Sequence, residues 1–448
     1  MKLSNFGRIA LALVASLVLA FGTQSCHYNF TEAYIIVTGS QYNQVASYKE
    51  DNDTGALVGA KSGVQSSGGA NPIRAVLAST GRYVYVLNQG TPKVTDAAGD
   101  IQWTGAGISL FSIGGDGSLS FQLSYPSQGL GSRRMALSNN GAYLYVLDQY
   151  QPGPNDNVTP GSATQSASSP CYDSTNAVWR PAGDITVFSI DSATGRLFLV
   201  QNQQQQNSVG TPLSYFPIGC GAIDFYLGSG FLWTAEASDP ASGDQQVVYT
   251  YAEANTTGQL TQVAQAVQPI TGATDITVIN GSTVGGTAGS YVYVLDSGTN
   301  NIFIFTPGSQ GQLNAISVPS APNPVPNNPL TGGMTALTTD SSSKYLYITN
   351  TTALSLGQAN SLLSLFTIDP SSGALTPLGT GTYPTGSNPV CIFEDPSKQY
   401  MYTADSASST VVGAAFDPET GTLTALPRGS TFPVIGTPTW CLVSSHTD

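Results

Sequence analysis

Apolar and polar positions alternate along this chain with a period of two residues, and the alternation recurs at regular intervals. A strand in or near the form Tyr-x-Tyr-Val occurs seven times, beginning at Tyr34, Tyr83, Tyr143, Phe231, Tyr291, Tyr345 and Tyr400. A second apolar strand follows each one and ends in a turn with the tripeptide Gly-x-Leu, at Gly55, Gly117, Gly195, Gly258, Gly311, Gly373 and Gly421. Glycine supplies the positive φ that a tight hairpin needs. The matched copies predict a repeated antiparallel unit.

A third apolar segment precedes six of the aromatic strands, at residues 73–78, 133–138, 220–227, 273–279, 334–338 and 389–394. The seventh copy stands at the far end of the chain, at residues 438–443. This arrangement predicts an all-β, seven-bladed β-propeller with four-stranded antiparallel blades, in which the C-terminal strand completes the N-terminal blade and closes the ring. The alternative is that the same strands form two or three sandwiches.

The N-terminus has the features of an export signal. Lys2 and Arg8 precede an apolar run over residues 9–21, which is too short for a permanent membrane span. We therefore expect a signal peptide at 1–25, a short linker at 26–32 and one propeller domain at 33–448. Cys26 is a candidate for lipidation, with ordinary cleavage as the alternative. The protein is expected in the periplasm, in the outer membrane as a lipoprotein, or in the medium.

The charge composition narrows the possible partners. The formal net charge is −13 and only 9% of residues are charged. Nucleic-acid binding needs clustered Lys and Arg, so we expect no nucleic-acid partner. We expect a monomer that contacts a membrane only through a lipid anchor.

Four cysteines follow Cys26, and an oxidising compartment permits them to pair. Cys171, in the longest loop, is expected to bond to Cys220 and anchor that loop. Cys391 and Cys441 lie on successive inner strands, where strand alternation could point them apart, and their pairing is left open. Buried free thiols are the alternative for each pair. No CxxC spacing suggests a metal site.

Long loops are concentrated on one face of the predicted ring. They follow the aromatic strands at 88–107, 148–183 and 236–246 and join blades at 58–71, 201–218 and 315–332. Long insertions on one face usually mark the binding face. Where the aromatic strands reach this face, six of them carry a polar residue: Asn88, Asp148, Glu236, Asp296, Asn350 and Asp405. Asn and Asp suit the capping of strand ends. Glu236 suits it poorly, which makes it the candidate functional residue of this set.

Three of the eight arginines stand at the starts of inner strands: Arg74, Arg133 and Arg134. Alternation predicts that Arg133 and Arg134 do not both point into the channel. One interpretation is that they pair with carboxylates such as Asp148 or Asp275. The other is a site for a small anionic molecule, because guanidinium binds carboxylates bidentately.

The repeats resemble the seven-bladed propeller lactonases, the 6-phosphogluconolactonase-like group, over essentially the whole mature chain. The segments 185–197 and 365–375 carry the Phe-x-Ile-Asp-x-x-x-Gly-x-Leu pattern of that family. The family's catalytic positions are degenerate here. Ser132-Arg133-Arg134 replaces its His, Glu236 stands one position before its Glu, and Leu-Asp-Ser-Gly at 295–298 lacks its Arg.

Two function classes follow. The resemblance implies an exported hydrolase of a lactone or sugar lactone, with Glu236 or Asp148 activating water and Arg133 or Arg74 holding the carbonyl or carboxylate. Arg74, Arg134, Asp296 and Asp405 are the further candidate ligand-binding residues. The alternative is a non-catalytic propeller that binds a small anionic ligand or an envelope protein. We expect no cofactor and no metal in either case.

Overall fold

A computed structural model describes residues 31–94, 101–152, 172–173, 178–179, 182–207, 209–239, 245–284, 289–317, 322–327, 330, 333–351 and 361–444. These residues form strands and turns, without a helix. Within these ranges no helix has the length and apolar character needed to cross a membrane. The predicted signal peptide, Cys26 and Cys171 lie outside the described residues.

The strands form seven antiparallel sheets, which are the predicted blades 1 to 7. The inner strands, in order of blades 1 to 7, are Pro438–Ser444, Pro72–Leu77, Leu130–Leu137, Ala222–Gly228, Ile276–Val284, Met334–Thr339 and Pro389–Glu394. The second strands, which carry the aromatic repeat, are Thr31–Gly39, Tyr83–Asn88, Tyr143–Tyr150, Phe231–Asp239, Gly289–Asp296, Tyr345–Asn350 and Tyr400–Asp405.

The outer half of each blade contains a third strand and a fourth strand. The third strands are Gln44–Asp51, Gly107–Ile113, Ala182–Ile190, Gln245–Glu253, Asn301–Pro307, Leu362–Ile368 and Thr410–Phe416. The fourth strands are Leu57–Ser66, Leu119–Tyr125, Leu197–Leu199 with Phe216–Cys220, Leu260–Pro269, Leu313–Ala315 with Val325–Pro326, Leu375–Pro384, and Leu423–Ala425 with Thr431–Pro433. Two short hairpins lie outside the blades, Thr91–Val94 with Ile101–Thr104 and Tyr172–Asp173 with Val178–Trp179.

The predicted closure of the ring is confirmed. Blade 1 pairs the strand Thr31–Gly39 with the C-terminal strand Pro438–Ser444, so the two ends of the described chain meet in one sheet. This pairing covers the edge of the second strand Thr31–Gly39, which would otherwise be open to pairing with another chain.

A disulfide strengthens this closure. Cys391 of blade 7 and Cys441 of blade 1 are bonded, with their Cα atoms 5.9 Å apart. Cys391 lies opposite Ala404 and Cys441 lies opposite Val37, positions that differ by one residue in the register shared by the blades. Because alternate side chains face opposite sides of a sheet, this offset turns the two sulfurs toward each other across the blade interface. The concern that alternation would separate them was wrong. Cys220 is also disulfide-bonded, but its predicted pairing with Cys171 stays a prediction.

Neighbouring blades are held together by the two sequence repeats. The first aromatic residue of a second strand packs on the Gly-x-Leu glycine of the next blade. A Cβ atom at Gly373 would lie 2.4 Å from Tyr291 Cδ1. In five blades the second aromatic residue donates a hydrogen bond to that glycine's carbonyl oxygen, as from Tyr347 to Gly421 at 2.7 Å. The glycine is therefore required by its positive φ and by this close approach.

Candidate functional site

The looped face of the ring is where the second strands end and the inner strands begin. Asn88 pairs with Pro72, and Glu236 pairs with Ala222 at the equivalent place in blade 4. The hairpin formed by Thr91–Val94 and Ile101–Thr104 follows directly after Asn88, at the same face. We call the opening of the central channel at this face the mouth.

Each inner strand has a β-bulge at the mouth. The pairing between inner and second strands skips one residue in every blade: Thr439, Ile73, Arg133, Ile223, Thr277, Thr335 and Val390. All seven line one cavity of about 490 Å³, together with Arg74, Gln89, Asp275 and Ile276. We call it the mouth cavity. Bulges of this kind re-aim side chains and are common beside binding sites.

The bulge in blade 3 changes the predicted orientation of two arginines. Because the pairing skips Arg133, simple alternation does not hold, and both Arg133 and Arg134 face the channel region. Arg133 lines the mouth cavity, and its Nε and Nη2 donate to Gln149 Oε1 at 3.2 and 2.6 Å. Arg134 lines a deeper cavity and forms an ion pair with Asp224, Nε to Oδ1, at 3.5 Å. The predicted carboxylate partners Asp148 and Asp275 are replaced by Gln149 and Asp224.

Arg74 differs from Arg133 and Arg134 in the partners of its guanidinium group. Its guanidinium carbon lies 3.7 Å from the centroid of the Trp440 ring, a stacked cation–π arrangement. Within the described residues its guanidinium makes no hydrogen bond or ion pair. The pKa of Arg74 is lowered to about 9, chiefly by burial and also by repulsion from Arg134, while the Asp224 carboxylate opposes both effects. Arg74 remains charged at neutral pH, with donors available to a ligand.

The polar residues at the ends of the second strands are buried anchors. In six blades this residue bonds to the connection that leads into its own blade: Asn88 to Ser67 O, Asp148 to Gly129 N, Glu236 to Gly219 N, Asp296 to Asp275 N, Asn350 to Asn327 Nδ2 and Asp405 to Thr385 Oγ1. The side chains have 0 or 1% of their surface exposed. Asp148 and Asp296 accept hydrogen bonds from backbone amides, as the predicted capping of strand ends requires, whereas Asn88 and Asn350 bond to a carbonyl oxygen and to a side chain.

Glu236 also bonds to a backbone amide at the strand end, although its longer side chain was expected to suit such capping poorly. Its Oε1 accepts hydrogen bonds from Gly219 N at 3.1 Å and from Thr234 Oγ1 at 3.0 Å. A Cβ atom at Gly219 would lie 1.9 Å from Glu236 Oε2, so a glycine makes room for the carboxylate. Glu236 has no exposed surface to offer a ligand in this structure.

Asp148 is buried beside a second carboxyl group. It lies directly opposite Asp184 on the neighbouring strand and accepts hydrogen bonds from Ser127 and from Ser132, the latter at 2.5 Å. Burial raises the pKa of both aspartates, and the charge of Asp148 raises that of Asp184 further. Two opposed carboxyl groups of this kind share protons and do not both ionise readily. Asp148 therefore fixes the segment that leads into the inner strand of blade 3, and neither aspartate lines the mouth cavity.

Asp296 and Asp405 have equally local roles. Asp296 accepts from the backbone nitrogens of Asp275, Gly298 and Thr299, at 2.7, 3.2 and 3.3 Å. Burial raises the pKa of Asp405 to about 7, opposed by hydrogen bonds from Thr385 and Thr403. The structure thus brings together Arg74 and Arg133 of the predicted site residues, with Arg134 beneath them, and separates them from the four carboxylates.

Three features of the mouth were not predicted from the sequence. The bulges leave no mark in the apolar pattern, and Trp440 reaches Arg74 only because the ring closes. Asp275 was considered only as a partner for arginine, yet it is an exposed carboxylate that lines the mouth cavity. The described residues contain no group of three His, Cys, Asp or Glu side chains placed to hold a metal ion.

Comparison with known proteins agrees with the propeller fold. Residues 240–442 match the family model described as lactonase, seven-bladed beta-propeller. A putative 6-phosphogluconolactonase from Bacteroides fragilis superimposes with a TM-score of 0.61 at 16% identity, covering 92% of this chain and 98% of that one. A periplasmic gluconolactonase from Pseudomonas aeruginosa gives a TM-score of 0.62 at 16% identity, covering 92% and 99%. At such identities these structures show the fold alone. No curated protein matches the chain in sequence.

Proposed function

We propose that the mouth cavity of this seven-bladed propeller, whose residues 240–442 match the lactonase family model, binds a small carboxylate-bearing molecule, with Arg74 as the principal cation. The observation that carries this proposal is the guanidinium of Arg74, stacked on Trp440 and lacking a hydrogen-bonded or ionic partner among the described residues. A partly buried cation without a hydrogen-bonded or ionic partner is costly, and an anion that pairs with it recovers that cost.

The surroundings of Arg74 favour a ligand that reaches it from the looped face. Arg133 lines the same cavity and adds a second positive charge, held in place by Gln149. The threonines at the bulges are already used, since Thr277 Oγ1 donates to Met334 O at 3.1 Å and Thr439 Oγ1 donates to Pro72 O at 2.6 Å. The arginines are therefore the groups that would orient an anion.

The experiment compares ligands that differ only in charge. Calorimetric titration of the full mature protein with hexanoate and with hexanamide separates binding to a cation from general apolar binding. We expect hexanoate to bind at least about tenfold more tightly, since a hydrogen bond to a charged group contributes about 1.5–3 kcal/mol. Equal affinity for acid and amide would contradict an arginine-based site.

A second candidate, hydrolysis of a lactone, is favoured by Asp275. This exposed carboxylate lines the mouth cavity with Arg74 and Arg133, whereas Glu236 and Asp148 are buried. In the proposed step Asp275 takes a proton from water as the water oxygen bonds to the lactone carbonyl carbon. An arginine stabilises the oxyanion that forms. The ring C–O bond then breaks, and the leaving alkoxide receives the proton from Asp275 to give a hydroxycarboxylic acid, which ionises and releases a proton to the solvent.

Hydrolysis is tested by adding γ- and δ-lactones to the protein and following acid release at constant pH. We expect Asp275→Asn to lose at least about 100-fold of the rate, as is typical when a general base is removed, while it keeps the affinity for hexanoate within about twofold. Unchanged hydrolysis by this variant would exclude Asp275 as the base. Absence of hydrolysis by the unaltered protein would leave carboxylate binding as the function.

We also propose that the protein works outside the cytoplasm. The N-terminal signal pattern and the Cys391–Cys441 disulfide support this proposal, because disulfides persist in oxidising compartments. Mass spectrometry of the mature protein from fractionated cells tests it. An uncleaved N-terminus in the cytosolic fraction would contradict export, and a lipid adduct on Cys26 would identify the lipoprotein form.

A further inference from the structure

The channel continues beyond the mouth cavity and changes in character. A second cavity, of about 470 Å³, lies between the inner strands, and we call it the channel cavity. Arg74 lines both cavities and so marks the boundary between them. Arg134 and Trp440 lie at the same end of the channel cavity as Arg74, and the guanidinium carbon of Arg134 is 5.8 Å from the centroid of the Trp440 ring.

Most of the channel cavity is apolar. Six partly exposed apolar side chains line it although they belong to the innermost strands: Val76, Leu77, Leu137, Phe393, Leu442 and Val443. Its polar side chains are occupied within the fold. Asn280 donates to Leu337 O at 3.2 Å and accepts from Gly281 N at 2.9 Å, and Thr338 donates to Thr339 O at 3.3 Å. The channel cavity thus joins a cationic end to an apolar wall.

This division identifies the chemistry of the ligand. We propose that the channel takes the alkyl chain of an amphiphilic carboxylate, or of the corresponding alkyl-substituted lactone, whose polar head pairs with Arg74. This inference rests on the proposed function. A sugar acid places several hydroxyl groups against the same wall, and each buried hydroxyl without a partner is penalised. An alkyl chain has no hydroxyl group to leave without a partner, and its burial away from water is favourable.

The test is a chain-length series measured on the full mature protein. Butanoate, hexanoate, octanoate and decanoate are titrated calorimetrically beside gluconate, which has the same charge. We expect each added methylene to tighten binding about fourfold, which corresponds to about 0.8 kcal/mol, until the channel cavity is filled. We expect gluconate to bind more weakly than hexanoate. Affinity that is independent of chain length, or gluconate that binds more tightly than hexanoate, would overturn the inference.

Two variants identify the surface involved. Leu137→Asn places an amide on the channel wall and is expected to flatten the chain-length dependence, while butanoate binding stays within about threefold. Leu199→Asn, on the fourth strand of blade 3 with 38% of its surface exposed, is the control and should leave the series unchanged. A series unaffected by Leu137→Asn, in a protein that melts like the unaltered one, would place the alkyl chain elsewhere.

Failure of this inference is distinguishable from failure of the proposed function. If carboxylates bind in preference to their amides but show no preference for alkyl chains, the arginine site stands and the apolar channel does not hold the ligand. If no acid binds in preference to its amide, the proposed function fails and this inference fails with it.

Discussion

The guanidinium of Arg74 stacks on the indole ring of Trp440, 3.7 Å from its centroid, although 366 positions separate the two residues in the sequence. Arg74 belongs to the inner strand of blade 2, and Trp440 belongs to the C-terminal strand that completes blade 1. The contact forms only when the ring is closed. The candidate site is therefore complete only when the C-terminal strand has closed the ring.

Deletion of the residues after Leu426 should abolish folding and binding together. It removes the inner strand of blade 1, Trp440 and the cysteine that bonds to blade 7. Exposed strand edges then promote aggregation. Size-exclusion chromatography of the truncated chain should show aggregates, and a soluble monomer with an unchanged melting temperature would contradict the closure of the ring.

The disulfide between Cys391 and Cys441 should stabilise the closed ring measurably. The two cysteines are 50 residues apart, and closing a loop of that length contributes about 4 kcal/mol in the chain-entropy model. We expect the double variant Cys391→Ser, Cys441→Ser to lose stability of this order in denaturant unfolding without reductant. Reductant should lower the midpoint of the unaltered protein more than that of the double variant. Equal midpoints for both proteins without reductant would show that the bond contributes nothing.

The glycines of the Gly-x-Leu turns should be more sensitive to substitution than other glycines of positive φ. Gly373 and Gly81 have φ values of 71° and 70°, but a Cβ atom meets Tyr291 at the first and open space at the second. We expect Gly81→Ala to cost about 1–2 kcal/mol for its backbone conformation. Gly373→Ala should cost about 1–3 kcal/mol more, because it overpacks the blade interface. Equal costs would contradict the packing of the aromatic repeat on this glycine.

The contribution of Asp405 to stability should fall as the pH rises toward neutrality. Burial raises the pKa of Asp405 from 3.8 to about 7, so between these values the folded chain holds a proton that the unfolded chain has lost. The contribution of Asp405 to the free energy of unfolding then decreases by up to about 1.4 kcal/mol per pH unit over this range, and it is constant above it. The stability difference between the unaltered protein and Asp405→Asn, measured from pH 4 to 8, should follow this curve. A difference independent of pH would show that Asp405 ionises normally.

The sequence predicted the fold because each blade repeats the same two constraints. An aromatic side chain such as Tyr291 and a glycine such as Gly373 are visible in the residues and meet across a blade interface. The closure was also predictable, since an unpartnered copy of the inner strand stood at the C-terminus.

The site was predicted less well for identifiable reasons. The bulge at Arg133 changes side-chain direction without changing the apolar pattern. The burial of Glu236 depends on Gly219, which belongs to a different blade's fourth strand. Neither effect is local in sequence. What could be predicted was the concentration of arginines at the starts of inner strands, because an arginine-poor chain makes that placement conspicuous.

The measurement that tests the central claim most directly is the affinity of Arg74→Ala for hexanoate, compared with that of Arg82→Ala. Arg82 is an exposed arginine in the turn between the inner and second strands of blade 2, at the opposite end of those strands from the mouth. We expect Arg74→Ala to weaken binding roughly 10- to 100-fold and Arg82→Ala to leave it within about twofold. Equal affinities for the two variants would contradict an anion site built on Arg74 at the mouth of the channel.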